Sequence, residues 1–323
     1  MNELLLHSVT ERHQWLRCNK VTTGLISAAQ THKTAIALRS NMKFKLSFIL
    51  AASLMAGATF AGDIAKDIRE GGGYDRSNSN YFELGVHYID STDVWVGSDN
   101  DDCKSKCKEA GFDLSASGAY YFKGAFIELE STSFDGLSLG FNFLNTEHWS
   151  LDLLGSSASG SLNDDPTPQT DEEKDQALLN RDTFYNGAGI RATAYWNDII
   201  FQYRLVTDIY DSNGITSSAR LGKSWQAKNW NFHAILSTDY FSNKTTQYLI
   251  GVTKEEATDR FAQYNPKGGL IFTADIGATY PLSEHLVWRS FFRHTELPDR
   301  AKDSPLIEDN RASGFSTSIN YVF

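Results

Sequence analysis

The sequence predicts an all-β protein, an antiparallel transmembrane barrel of about twelve strands, with ten as the alternative count. Three observations predict it. Apolar and polar residues alternate over stretches of about ten residues, longer than the usual globular strand. An export signal stands near the front, and the four longest connections all fall on one side of the alternating strands.

Residues 1–41 carry scattered basic residues and no pattern, and Met42 opens the stretch MKFKLSFILAASLMAGATFAGD. Lys43 and Lys45 form a positive start, Leu46 to Met55 an apolar centre, and Ala56, Ala58, Thr59 and Ala61 a small-residue end. That is the layout of a secretory signal peptide over 42–61, cleaved after Ala61 or, as second choice, Ala58. A membrane anchor is the alternative, since the apolar run reaches the lower limit of a spanning helix. Translation is expected to start at Met42, which makes 1–41 an upstream artefact or extension. Residues 62–79 then form a periplasmic segment, and 80–323 the barrel.

Cleavage removes seven of 30 basic and two of 40 acidic residues, leaving 23 against 38 and a net charge of −15. Such a surface excludes nucleic acid as a partner, because binding it requires a basic footprint. Cys18 leaves as well, so Cys103 and Cys107 remain as a pair. In an exported chain the pair predicts a disulfide, with half of a metal site as the alternative.

Strands are expected at 80–90, 111–122, 125–132, 137–145, 149–160, 183–196, 199–210, 214–225, 230–242, 269–281, 285–294 and 313–323. The first sets Phe82, Leu84, Val86 and Tyr88 against Glu83 and His87. The seventh, IIFQYRLVTDI, sets Ile199, Phe201, Tyr203, Leu205 and Ile209 against Gln202, Arg204 and Asp208. The ninth separates Trp230, Phe232, Ala234, Leu236 and Tyr240 from His233 and Asp239, and the tenth separates Leu270, Phe272, Ala274, Ile276, Ala278 and Tyr280 from Thr273, Asp275 and Thr279. The last, GFSTSINYVF, aligns Phe315, Ile319, Tyr321 and Phe323. Tyr120, Tyr121, Tyr185, Trp196, Trp225, Trp230, Tyr280 and Trp288 lie near strand ends, the pattern of aromatic girdles. An antiparallel sandwich also alternates, but strand length, the export signal and these girdles favour the barrel.

The long connections are 91–110, 161–182, 243–268 and 295–312, with tight links such as KG, WND, DSNG, AKNW and LSE between. A last strand ending in the periplasm puts all four outside. The weak point is 125–145, where AFIELES and LSLGFNFL flank TSFDG and can form one bulged strand; that merger underlies the ten-strand alternative. The 161–182 segment, polar and proline-bearing, is expected to be mobile.

The alternation aims Arg191, Arg204, Arg220, Arg289 and Arg293 at the lumen, beside Glu83, Glu128, Glu130, Asp152, Asp208, Asp239 and Asp275. Mixed charges of this kind either tune a pore or satisfy one another across a filled interior. The acidic loops, with Asp99, Asp101 and Asp102 and with Asp171, Glu172 and Glu173, lack the spacing of a calcium loop and read as solvated surface. Five histidines remain after cleavage, none in a nucleophile motif, and His233 and Ser237 stand roughly 13 Å apart along one strand face. No catalytic residue, cofactor or metal is assigned.

The last quarter resembles a known family. GVTKEEA at 251–257, YNPKGG at 264–269, a strand pair, ELPDRAKDSPLIED at 296–309 and a final strand ending in Phe resemble the MipA/OmpV family of outer-membrane proteins. The resemblance implies a non-enzymatic protein of the Gram-negative outer membrane. Its best-known member is a scaffold joining a murein lytic transglycosylase to a penicillin-binding protein, and other members are linked to adhesion, osmotic adaptation or antibiotic uptake. It carries over no catalytic residues. The terminal strand, with Phe323, Tyr321 and Ile319, looks like the signal that the barrel-assembly machinery reads, in a protein whose outer wall meets lipid. The expected function is therefore a scaffold of peptidoglycan metabolism, with a small porin-like diffusion pore for polar solutes as the alternative.

Overall fold

The computed structural model describes residues 80–92, 94–96, 108–130, 136–156, 169–179, 187–209 and 212–323. The expected leader and signal segments, residues 62–79, Tyr185 and the cysteine pair lie outside these residues. The described strands are β1 (Tyr81–Thr92), β2 (Lys108–Phe122), β3 (Ala125–Glu130), β4 (Gly136–Asn145), β5 (Trp149–Ser156), β6 (Gly187–Trp196), β7 (Ile199–Asp208), β8 (Ile215–Ala227), β9 (Trp230–Phe241), β10 (Gly269–Pro281), β11 (Leu286–Glu296) and β12 (Arg311–Val322). Each pairs antiparallel with its sequence neighbours, and β1 pairs with β12, so the sheet closes into a barrel with no edge.

The 125–145 stretch resolves as two strands paired with each other, so the ten-strand alternative falls. Lys123 and Gly124, both with positive φ (49° and 95°), make the two-residue link from β2 to β3, the backbone that a twisted hairpin favours. With about 4.8 Å between strands and a tilt near 40°, twelve strands enclose a cylinder roughly 24 Å across the backbone.

Alternation turns the barrel inside out relative to a soluble domain. Leu84, Val86, Phe112, Leu114, Leu236, Phe272, Ile276 and Ile319 are exposed on the outer wall, while Glu83, His87, Glu128, Asp152, Arg191, Gln202 and Asp275 are buried inside. Among the described residues no helix is long and apolar enough to cross a membrane. Periplasmic ends of the lipid-facing wall carry ring clusters: Trp149 lies edge-on to Trp196 at 6.0 Å, and Trp230 meets Tyr280 at 4.8 Å and Trp288 at 5.6 Å. Tyr121 does not join them. Its place in β2 turns it inward, where it is buried.

The outer connections are folded where the sequence suggests only loops. The segment expected to be mobile contains α1 (Asp171–Leu179), the β9–β10 connection opens with α2 (Asn243–Ile250), and β11–β12 contains a 3-10 turn at Asp299–Asp303. A reciprocal side-chain cap starts α1, the Ser242 hydroxyl caps α2 by accepting the Thr245 N–H, and the same reciprocal exchange recurs in the turn after α2. The Thr170 hydroxyl accepts from the Glu173 N–H at 3.2 Å, and the Glu173 carboxylate accepts from the Thr170 N–H at 3.0 Å. Thr253 and Glu256 repeat the exchange. The two backbone N–H bonds, from Gln169 and Thr170, hold the Glu173 carboxyl below its usual range.

Candidate functional site in the barrel interior

The interior is layered. At the periplasmic end an apolar floor gathers Ala119, Tyr121, Phe126 and Leu154, with Tyr81 against it. Tyr195 and Ile200, paired across β6 and β7 near the same end, are almost wholly inaccessible. Gly140 makes room for the floor: a Cβ there would stand 2.3 Å from Phe126 Cζ and 2.3 Å from the Leu153 carbonyl. The Tyr121 hydroxyl donates upward to Glu128 at 3.1 Å, and the Arg191 guanidinium lies 4.9 Å above the Phe126 ring.

Above the floor comes an ionic layer centred on Arg191. Its Nε donates to Asp152 at 2.7 Å, and Nη1 and Nη2 donate to the two Glu128 oxygens at 2.7 and 3.0 Å. The Asp152 carboxylate also accepts from Asn142 at 2.7 Å, whose amide donates to Ser150 at 2.7 Å. Asp152 is 0% exposed and Arg191 3%, so water reaches neither, and each charge depends on the other's geometry. Arg204 stands directly across from Arg191 in the β6–β7 register, on the side away from Glu128 and Asp152. Arg191 is thus saturated by carboxylates on its β5 side while a like charge flanks it on β7.

A second set lies on the opposite wall. Arg293 makes a bidentate pair with Asp275 at 2.8 Å in both bonds, and Arg220 and Glu130, from β8 and β3, stand close enough to act on its charge. Glu130 accepts from Ser117 at 3.0 Å, and Arg289 donates to Glu83 at 2.8 Å. Asp208 accepts the Ser212 N–H at 2.6 Å at the rim, and half-buried Asp239 faces inward between Ser218 and Ile271. The twelve inward charges named from the alternation therefore divide: Arg191, Glu128 and Asp152 belong to the dry layer on β3–β6, Arg293, Asp275, Arg289 and Glu83 to the far wall, and Asp208 and Asp239 to the outer rim, with Arg204, Arg220 and Glu130 between. The two walls differ in wetness. Arg293 keeps 33% of its side chain accessible, against 3% for Arg191.

Above the rim the outer loops fold onto one another. Leu178, Val252, Phe261 and Leu306 form one buried cluster with Trp95 and Tyr264 beside it; Ile250, Ala301 and Ile307 form a second with Val94, Trp95 and Leu297. Trp95 bridges Ile307 in backbone pairing, and the Tyr264 hydroxyl donates to the Arg300 carbonyl at 2.6 Å. Burial and the nearby Asp303 push the Tyr264 phenol up, against the opposing pull of Arg300. At the periplasmic end, Asp198 in the β6–β7 turn is held low by its hydrogen bond with the Lys223 ammonium, 2.8 Å away.

The terminal strand lies against β1, with the Phe323 N–H on the Phe82 carbonyl at 3.0 Å. Phe323 is exposed on the outer wall, its ring 4.8 Å from Tyr321 and 5.7 Å from Phe82, and Ile319 follows on the same face. The sequence reading missed the loop core, although Thr170–Glu173 and Thr253–Glu256 have the spacing of capping boxes. Among the described residues no cluster of His, Cys, Asp and Glu is placed to hold a metal ion.

The chain is 24% identical over 188 residues to the Escherichia coli K12 protein named as outer membrane protein YiaT, covering 58% of this chain and 75% of that one. It is 27% identical over 149 residues to the MltA-interacting protein of the same organism, covering 46% of this chain and 50% of that one. Among solved structures it is similar to the NanC porin, at 8% identity and a TM-score of 0.38 over 74% of this chain and 98% of that one. It is also similar to an outer membrane channel of Pseudomonas putida F1, at 12% identity and a TM-score of 0.32 over 84% of this chain and all of that one. A family model described as MltA-interacting protein MipA matches residues 108–323. This outer-membrane barrel of twelve strands belongs to the MipA family.

Proposed function

We propose that this barrel is a non-enzymatic scaffold, which presents its periplasmic turns to a murein lytic transglycosylase and, with it, to a penicillin-binding protein. The observation that carries this reading is the interior: paired charges and an apolar floor fill the dry wall, under a folded roof. A barrel filled in this way works through its surfaces. The name of the MltA-interacting relative supplies the partner class. The test is cross-linking in cells of the tagged full chain, followed by purification and identification of murein enzymes. Recovery of a lytic transglycosylase is expected, reduced by substitutions in the 282–285 or 228–229 turns that leave the barrel folded. No murein enzyme among the cross-linked products, when other envelope proteins are captured, would refute the scaffold.

One observation favours a second reading, a small diffusion pore for polar solutes. The Arg293 wall retains access to solvent within the barrel. On this reading neutralising Arg293 alters conductance, whereas a scaffold of the same fold stays silent.

A further inference from the structure

The roof is not uniformly fastened. The β1–β2 and β11–β12 loops are joined through the backbone: Val96 N–H to Leu306 O at 3.0 Å, Glu308 N–H to Val94 O at 2.8 Å, and the Trp95–Ile307 bridge, and the β9–β10 loop is tied to the β11–β12 loop by the Tyr264 hydroxyl on the Arg300 carbonyl. The Ser304 hydroxyl adds a bond to the Ile250 carbonyl at 2.7 Å. These loops rise from neighbouring strands, on one side of the ring.

The fourth contributor, α1, comes from elsewhere. It belongs to the β5–β6 connection, which six strands separate from the β11–β12 connection in either direction around the barrel. Leu178 nevertheless packs in one cluster with Leu306, so α1 reaches across the mouth. Its hold is small. Leu178 is buried and Leu179 half-buried, and a hydrogen bond joins Thr258 to Asp175. The first turn of the helix is exposed and acidic, without a second apolar row to bind it. Below lies the wetter part of the lumen, where Ser237, Thr273, Thr295 and Arg293 are half-buried on β9, β10 and β11.

We propose that α1 is the detachable crossbar of a lid. Docked through Leu178 and Asp175, it closes the outer mouth; undocked, it opens a path for small polar solutes along the β9–β11 wall, while the other three loops stay joined. This inference is separate from the scaffold reading, and its failure leaves that reading intact.

The test is single-channel recording of the full chain refolded in planar bilayers with potassium chloride as the probe. The native protein is expected to be closed almost all the time. Leu178→Asp should raise the open probability on the order of tenfold or more, since it places a charge in the docking cluster, and Leu178→Met should restore closure. Thr258→Val, which retains the barrel and the leucine, should give a smaller rise. A folded, heat-modifiable Leu178→Asp protein that stays silent overturns the proposal, as does a native protein open as often as the variant. If Leu178→Asp does not fold, Thr258→Val decides, and an unchanged open probability overturns it.

Discussion

Replacing Arg191 by Ala should be among the most damaging single substitutions in the barrel, although the residue lies in its interior, away from every turn. The guanidinium makes three charge-assisted bonds, at 2.7, 2.7 and 3.0 Å, to two buried carboxylates. Removing it leaves Glu128 and Asp152 facing each other in a medium of low dielectric. Breaking a buried pair from one side costs about 3–5 kcal/mol. At a denaturant slope of about 2 kcal/mol per molar urea, the unfolding midpoint falls by roughly 2 M. Urea titration of the protein in lipid vesicles, followed by tryptophan fluorescence and by loss of the heat-modifiable band, reads this directly. The triple variant Arg191→Met, Glu128→Gln, Asp152→Asn removes all three charges together and should recover most of the loss. A shift below about 0.5 M for Arg191→Ala, or a triple variant no better than the single, would show that the layer is hydrated and that the filled-interior argument is wrong.

Four other outcomes follow from particular residues. Deleting Phe323 removes the backbone bond to Phe82 and the ring beside Tyr321, and should lower the amount of folded protein in the outer membrane; normal amounts of heat-modifiable barrel would count against an assembly role. Gly140→Ala should destabilise by about 1–3 kcal/mol, because Phe126 and the Leu153 backbone must both move; an unchanged urea midpoint contradicts this. Tyr264 has its phenol raised in the folded loops, so its stabilising contribution is complete below the ordinary tyrosine value near 10 and is lost as pH rises through the raised one. Proteolysis of the outer loops should accelerate in that alkaline window, and Tyr264→Phe should remove that component of the pH dependence. For Cys103 and Cys107, thiol titration of the purified protein should find no free thiol; two free thiols would rule out the bridge.

The barrel was legible because lipid outside and polar groups inside impose a strict two-residue period. Phe82, Leu84 and Val86 against Glu83 and His87 is enough to set the inward face of β1, and every inward charge then follows by counting. Counting does not give partners across the lumen. That Arg191 meets Glu128 of β3, while Arg293 meets its neighbour Asp275, depends on tilt and stagger, which appear only when the ring closes. The loop core was missed for another reason. A nine-residue helix with Leu178 as its single buried residue has no stripe to detect, and its only local mark is the Thr170–Glu173 cap. Tyr121 lies near a strand end like the girdle rings, but the parity of β2, with Phe112 and Leu114 outward, points it inward.

The Arg191 cluster also bears on how the barrel is made. Its charges come from β3, β5 and β6, so no single hairpin carries the complete set. The β5–β6 hairpin carries Arg191 and Asp152 as a matched pair, but a β3–β4 hairpin entering the bilayer alone would carry the Glu128 carboxylate unmatched, at a cost of several kcal/mol. Strands β3 to β6 side by side leave no charge of the cluster unmatched. A sheet of these four strands already joins Arg191 to both of its carboxylates, so closing the ring between β12 and β1 adds no charge partner that the Arg191 cluster lacks.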